Sequence, residues 1–223
     1  MAADLGDATS PAGARPDEPV ADALAPRPVV ETSLVHEGRV FDLRSDVVEL
    51  DDGPVTREYL DHPGAVAVVV LDDDERVLLL RQYRHPVRRE LWEVPAGLLD
   101  VDGEDAQLAG ARELAEEADL RAGRWDVLVD YFTTPGGSNE ALRVFLARDL
   151  SPVPEAERFA REAEELDMEL RWVPLDEALR GVLAGELHNP SAVVGILAAA
   201  ASRAGGWSSL RPADAPWPER RGG

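Results

Sequence analysis

Cysteine is absent from the chain, and with it go disulfides, thiolate zinc sites, iron–sulfur clusters and a cysteine nucleophile. Lysine is absent too, so all 23 basic residues are arginine. They face 44 acidic residues, leaving a net charge of −21. Such a polyanion repels nucleic acid and anionic membrane surfaces, so neither is expected as a partner. Long apolar runs are also missing. The longest, residues 192–201, is about half of the ~20 residues that a membrane helix needs. The opening stretch MAADLGDATSPAGARPDEP has neither a basic start nor an apolar core, so no secretory signal is read. A soluble, cytoplasmic protein is expected.

What the chain does have is enough apolar residue, 44% of 223, to build one ordinary domain with appendages. Residues 1–30 hold five prolines among alanines and aspartates and read as a disordered tail. Residues 205–223 read as a C-terminal tail that docks loosely at most. Trp207 and Trp217 stand against that reading, because tryptophans in a tail usually find a surface to cover. Residues 31–62 form an N-terminal β segment in which 39–50 and 55–60 flank a hairpin-like turn, Asp51-Asp52-Gly53-Pro54. The main domain spans 63–204. In it, strands are predicted at 65–71, 76–83, 91–94, 125–132, 141–147 and 170–173, with the acidic turn 72–75 a solvated hairpin tip.

The clearest helix is predicted over 105–118, its apolar stripe drawn from Leu108, Ala111, Leu114, Ala115 and Ala118. Gly110 within it costs about 1 kcal/mol relative to alanine. Further helices are expected at 175–184 and 190–203, the second opened by Pro190. Strands interrupted by one strong helix and closed by two more give a mixed sheet sandwiched by helices. The fold class is α/β (α+β).

The informative chemistry lies in Glu104 and in Arg112-Glu113-Leu114-Ala115-Glu116-Glu117. Glu113 precedes Glu116 by three residues and Glu117 by four, so these side chains are neighbours on one turn. Like charges at that spacing destabilise a helix unless something positive sits among them. Arg112 pairs with Glu116 at four residues but cannot neutralise four carboxylates. A divalent cation, Mg²⁺ or Mn²⁺, which prefers oxygen ligands at about 2.0–2.2 Å, is the economical answer. The apolar stripe is expected on the opposite face, and the Pro95-Ala96-Gly97 bend would bring backbone carbonyls beside the carboxylates.

This pattern resembles the Nudix box, G-x5-E-x7-R-E-U-x-E-E-x-G-U, in register from Glu104 to Leu120. Two positions depart from it. Gly97 precedes Glu104 by seven residues rather than six, and Asp119 stands where glycine is expected at the helix exit. Aspartate tolerates left-handed backbone better than most residues, so that change bears on stability rather than on ligands. The resemblance runs over about residues 31–201 and is nearest to the ADP-ribose pyrophosphatases. It rests on Arg81-Gln82-Tyr83-Arg84, on residues 91–97, on Pro135 fifteen residues beyond Leu120, and on the N-terminal β segment, which in that subgroup helps to build a homodimer.

The resemblance implies an α/β/α sandwich and metal-dependent hydrolysis of ADP-ribose to AMP and ribose 5-phosphate, with two or more Mg²⁺ (or Mn²⁺) per site. It implies Glu113, Glu116, Glu117 and the carbonyl of Ala96 as metal ligands. The carboxylate that deprotonates water would be Glu140, following the Gly136-Gly137 turn, or Glu164 or Glu165 in the acidic stretch 155–167, with Glu116 also in the catalytic cluster. Substrate contacts would come from Arg84, Arg57, Glu93 and Glu140, while Arg112 holds the glutamates in place. The four histidines show no ligand spacing and are read as incidental. Two alternatives remain open: hydrolysis of another nucleoside diphosphate sugar, and a non-catalytic module that binds ADP-ribose or a nucleotide.

Overall fold

The structure, a computed structural model, describes residues 19–101, 103–159 and 168–220. Its chain order begins with an antiparallel meander of β1 (Val29–His36), β2 (Asp42–Leu50) and β3 (Gly53–Asp61). Strand β1 is exposed along its whole length and begins inside the segment read as a tail; residues 1–18 lie outside the described residues. The β2–β3 turn falls at the expected Asp51-Asp52, with Gly53 supplying a φ of 107°.

The central sheet is mixed. Its strands are β4 (Ala65–Val70), β7 (Ala96–Leu98), β8 (Leu120–Phe132), β9 (Ala141–Pro152) and β11 (Arg211–Pro212), in the order β11-β8-β9-β4-β7. Strands β4 and β9 run parallel at its centre. A smaller antiparallel sheet, β10-β5-β6, is made by β5 (Arg76–Arg84), β6 (Arg89–Glu93) and β10 (Glu169–Pro174). Strand β4 is buried at all six positions, as an uninterrupted β-branched run must be when both of its faces are covered. Val66, Val68 and Val70 face α1 (Ala106–Ala118), whereas Ala65, Ala67 and Val69 join the core beneath α2 (Leu175–Leu183) and α3 (Pro190–Ala204). The layers are therefore helix, sheet, helix.

Glycines let both helices approach. A Cβ on Gly195 of α3 would sit 2.7 Å from Val69 Cγ2, and one on Gly110 of α1 would sit 3.3 Å from Val68 Cγ2. The helix-propensity cost of Gly110 is thus incurred for close packing on the sheet. Helix α1 is capped by Asp105, whose carboxylate accepts from the Gln107 amide, and it ends at Asp119 in left-handed backbone, φ 54° and ψ 33°.

Two expectations are corrected. The buried stripe of α1 is Ala106, Ala109, Gly110, Leu114 and Ala118; Leu108 is 61% exposed. Small residues face the sheet because the helix packs close. The stripe also runs through Glu113 and Glu117, three and seven residues beyond Gly110, so these carboxylates share the inward face instead of opposing it. The C-terminal tail, in turn, is clasped and not loose. Its β11 pairs with β8, and Arg148 stacks on Trp207 at 5.0 Å. Arg143, almost wholly buried, forks onto Asp130 at 2.7 and 3.0 Å, stacks on Trp217 at 4.8 Å and donates to the Ala215 and Pro216 carbonyls. A buried guanidinium needs acceptors for its five N–H groups, and the tail supplies two of them.

Candidate active site

Because α1 turns Glu113 and Glu117 inward, both meet the edge strand β7. The Ala96 amide donates to Glu117 Oε2 at 3.1 Å. Gly97 lies directly under Glu113: a Cβ there would fall 2.0 Å from Glu113 Oε1. Only glycine leaves room for that carboxylate. Arg112 holds the cluster together. It donates through Nε and Nη2 to the two oxygens of Glu104, each at 3.2 Å, and through Nη1 to Glu113 Oε1 at 2.6 Å, with Glu116 Oε2 at 3.6 Å. Its pKa rises, chiefly through the bonds to Glu104. Burial pushes the Glu113 carboxyl up to about 7, against the pull of Arg112.

These features suit a hard cation. A glycine cradle beneath Glu113 and an all-oxygen donor set from Glu113, Glu116 and Glu117 are what such an ion requires. Among the described residues no three His, Asp or Glu side chains already converge on one point, and Arg112 stands between the carboxylates.

Beside this cluster opens a cleft of about 790 Å³, lined among others by Arg84, Glu93, Ala96, Gly97, Glu140 and His62. Arg84 and Glu93 come from the paired strands β5 and β6 and hold one another in a fork, Nε to Oε1 at 2.9 Å and Nη2 to Oε2 at 2.7 Å. The sequence reading treated them as separate contacts. The fold makes them one unit, with Glu93 buried and Arg84 reaching the surface. Glu140 starts β9. Its Oε2 accepts from Thr133 Oγ1 at 2.6 Å, and its Oε1 lies 3.7 Å from His62 Nδ1. The 133–140 loop is pinned to the end of β3 by Leu60 N–H to Gly137 O, Asn139 N–H to Leu60 O and the His62 amide to Asn139 Oδ1. The N-terminal sheet therefore fixes where Glu140 stands.

Most of the residues expected from the sequence, Ala96, Glu113, Glu116, Glu117, Arg84, Glu93 and Glu140, thus gather in or beside the cleft. Arg57 does not. It lies on the exposed face of β3 and donates to the adjacent Thr56 carbonyl, since the meander carries it away from the cleft of its own chain. Glu164 and Glu165 lie outside the described residues. His62, set aside on sequence grounds, lines the cleft, stacks on Phe41 and accepts from the Gly64 amide through Nδ1. Thr133 was also missed. His62 carried no spacing signal because it reaches Glu140 through the pairing of Leu60 with the 133–140 loop, whereas Thr133 meets Glu140 across the β8–β9 connection, its amide donating to the Glu140 carbonyl at 3.2 Å.

Comparison with known proteins agrees with this geometry. Residues 61–192 match the NUDIX domain. Over 194 residues the chain is 46% identical to the ADP-ribose pyrophosphatase of Mycobacterium tuberculosis, covering 86% of this chain and 91% of that protein. It is 36% identical over 157 residues to the ADP-ribose pyrophosphatase of Bacillus subtilis, covering 70% and 82%. It is 32% identical over 168 residues to the methanol dehydrogenase activator of Bacillus methanolicus, covering 75% and 89%. A crystal structure of an ADP compounds hydrolase superposes with a TM-score of 0.67 at 22% identity, over 83% of this chain and 98% of that one, a likeness of fold. With the box helix, its glycine cradle and the adjoining cleft in place, the domain match makes this chain a member of the Nudix hydrolase family.

Proposed function

We propose that the chain hydrolyses the diphosphate of ADP-ribose to AMP and ribose 5-phosphate. The observation that carries this reading is the meeting, at one cleft, of the α1 carboxylates on β7, the Arg84–Glu93 fork and the loop-borne Glu140. The two relatives named ADP-ribose pyrophosphatase support ADP-ribose as the substrate.

Nudix hydrolases generally depend on a divalent cation. Bound by Glu113, Glu116, Glu117 and the Ala96 carbonyl, Mg²⁺ or Mn²⁺, two or more per site, would offset the diphosphate charge and polarise its phosphorus. The chain's own residues supply the rest. Arg84, oriented by its two bonds to Glu93, presents a guanidinium to phosphate oxygens, which it matches bidentately. Glu140 takes the proton of the attacking water as the new oxygen–phosphorus bond forms and the bridging P–O bond breaks. The Thr133 hydroxyl, holding Oε2, fixes the rotamer in which Glu140 does so. Glu165 or Glu164 is the alternative base. Arg112 keeps Glu113 and Glu116 from splaying apart.

Among the described residues no helix is long and apolar enough to cross a membrane. A cytoplasmic homodimer is the accompanying expectation, supported by the exposed Val29, Val30, Leu34 and Val35 of β1.

The test is AMP release from ADP-ribose with Mg²⁺, repeated with Glu117→Gln and with a panel of other nucleoside diphosphate sugars. The variant should lose at least about a hundredfold in kcat while keeping the parent melting temperature. An inactive parent, or a fully active variant, rejects the assignment. Faster turnover of another member of the panel moves the substrate.

A further inference from the structure

The C-terminal segment does more than cover the sheet. Its last described residue, Arg220, lies 116 positions from Glu104 in sequence, yet its Nη2 donates to the Glu104 backbone carbonyl at 2.7 Å. Glu104 stands at the entrance of α1, where its amide closes a turn onto the Val101 carbonyl and its carboxylate receives both Arg112 bonds. Arg112 in turn grips Glu113 and reaches Glu116. A continuous polar chain therefore runs from Arg220 through Glu104 and Arg112 to the carboxylates that face β7. The same end of the C-terminal segment, Trp217, Glu219 and Arg220, lines a small crevice together with Gly64, Leu99, Asn139 and Ala141. Its anchorage is independent of Arg220, because Asp130 and Arg143 clamp it at Arg211, Ala215 and Pro216.

We propose that Arg220 is a positioning residue for the metal-binding carboxylates: the strap carries it to the α1 entrance, where it fixes Glu104 and, through Arg112, the geometry of Glu113 and Glu116. The inference rests on the metal role given to those carboxylates and extends it to a residue outside the Nudix box. A charge-assisted bond to a carbonyl at the helix entrance restrains the backbone from which Glu104 projects. Partners that orient ligands without touching the ion typically change metal affinity ten- to a hundredfold, and Arg220 acts one residue further out.

The experiment measures Mn²⁺ affinity of the full chain by electron paramagnetic resonance, together with the metal-free melting temperature. The parent is compared with Arg220→Ala, Arg220→Lys and Arg211→Ala, the last loosening the strap at Asp130 without touching Glu104. Arg220→Ala should bind Mn²⁺ about three- to tenfold more weakly. Arg220→Lys, which keeps a charged donor, should recover part of that loss. Arg211→Ala should keep parent affinity even if it melts earlier. Unchanged affinity in Arg220→Ala, no recovery with lysine, or an equal loss in Arg211→Ala overturns the proposal. A parent that binds no Mn²⁺ overturns instead the metal role on which it rests.

Discussion

Replacing Gly97 by alanine isolates the contact on which the carboxylate cluster is built. The added Cβ would lie 2.0 Å from Glu113 Oε1, 2.1 Å from its Cδ and 2.5 Å from its Cγ. Ordinary contact begins near 3.5 Å, so the Glu113 carboxylate must retreat by about 1.5 Å. Gly97 does not need positive φ, so alanine fits the strand backbone and the whole conflict is with one side chain. Glu113 can swing, but only by leaving the place that Arg112 Nη1 and β7 define for it. A misplacement of about 1 Å in a reacting constellation costs roughly a hundredfold in rate, or about 2.7 kcal/mol of barrier. Gly97→Ala should therefore lose about two orders of magnitude in kcat for ADP-ribose at saturating Mg²⁺, with a melting temperature within a few degrees of the parent. Steady-state AMP release and circular-dichroism melting read the two quantities. Full activity would refute the claim that Glu113 must sit on Gly97, and a collapse of the melting temperature would show that the strand itself, not the carboxylate, gives way.

Two further outcomes follow from packing and from charge. Gly195→Ala places a methyl group 2.7 Å from Val69 Cγ2 in the middle of the α3–sheet contact. Overpacking of that kind costs about 1–3 kcal/mol. At about 2–4 °C per kcal/mol for a chain of this size, the melting temperature should fall by several degrees with KM unchanged, and an unshifted midpoint refutes the packing argument. For Glu113, the folded carboxyl keeps its proton up to about 7, against the ordinary 4.5. The folded state thus binds more protons between those values, and on this group's account the metal-free fold loses stability as pH rises through the window. A cation takes only the ionised carboxyl, so Mg²⁺ must displace that proton below about pH 7. The rise in melting temperature on adding Mg²⁺ should be larger at pH 8 than at pH 6; equal rises at both would refute it.

The sequence by itself determined what depends on near neighbours. The helix over 106–118, the left-handed exit at Asp119 and the central-sheet strands β4, β8 and β9 follow from local spacing and local backbone preference. So does the carboxylate box, because residues three and four apart on a helix are neighbours in any fold. Tertiary structure decided the rest. It turned Glu113 and Glu117 inward onto β7, since which face of α1 is buried depends on how closely Gly110 lets the helix approach the sheet. It joined Arg84 to Glu93 across two strands, and it brought His62 to Glu140 through a loop pinned at Leu60. It also drew the proline-rich C-terminus onto Arg143, Asp130 and Glu104. Those contacts join residues up to 116 positions apart. Periodicity carries no information over such distances, and only the burial of charges that need partners selects which residues meet.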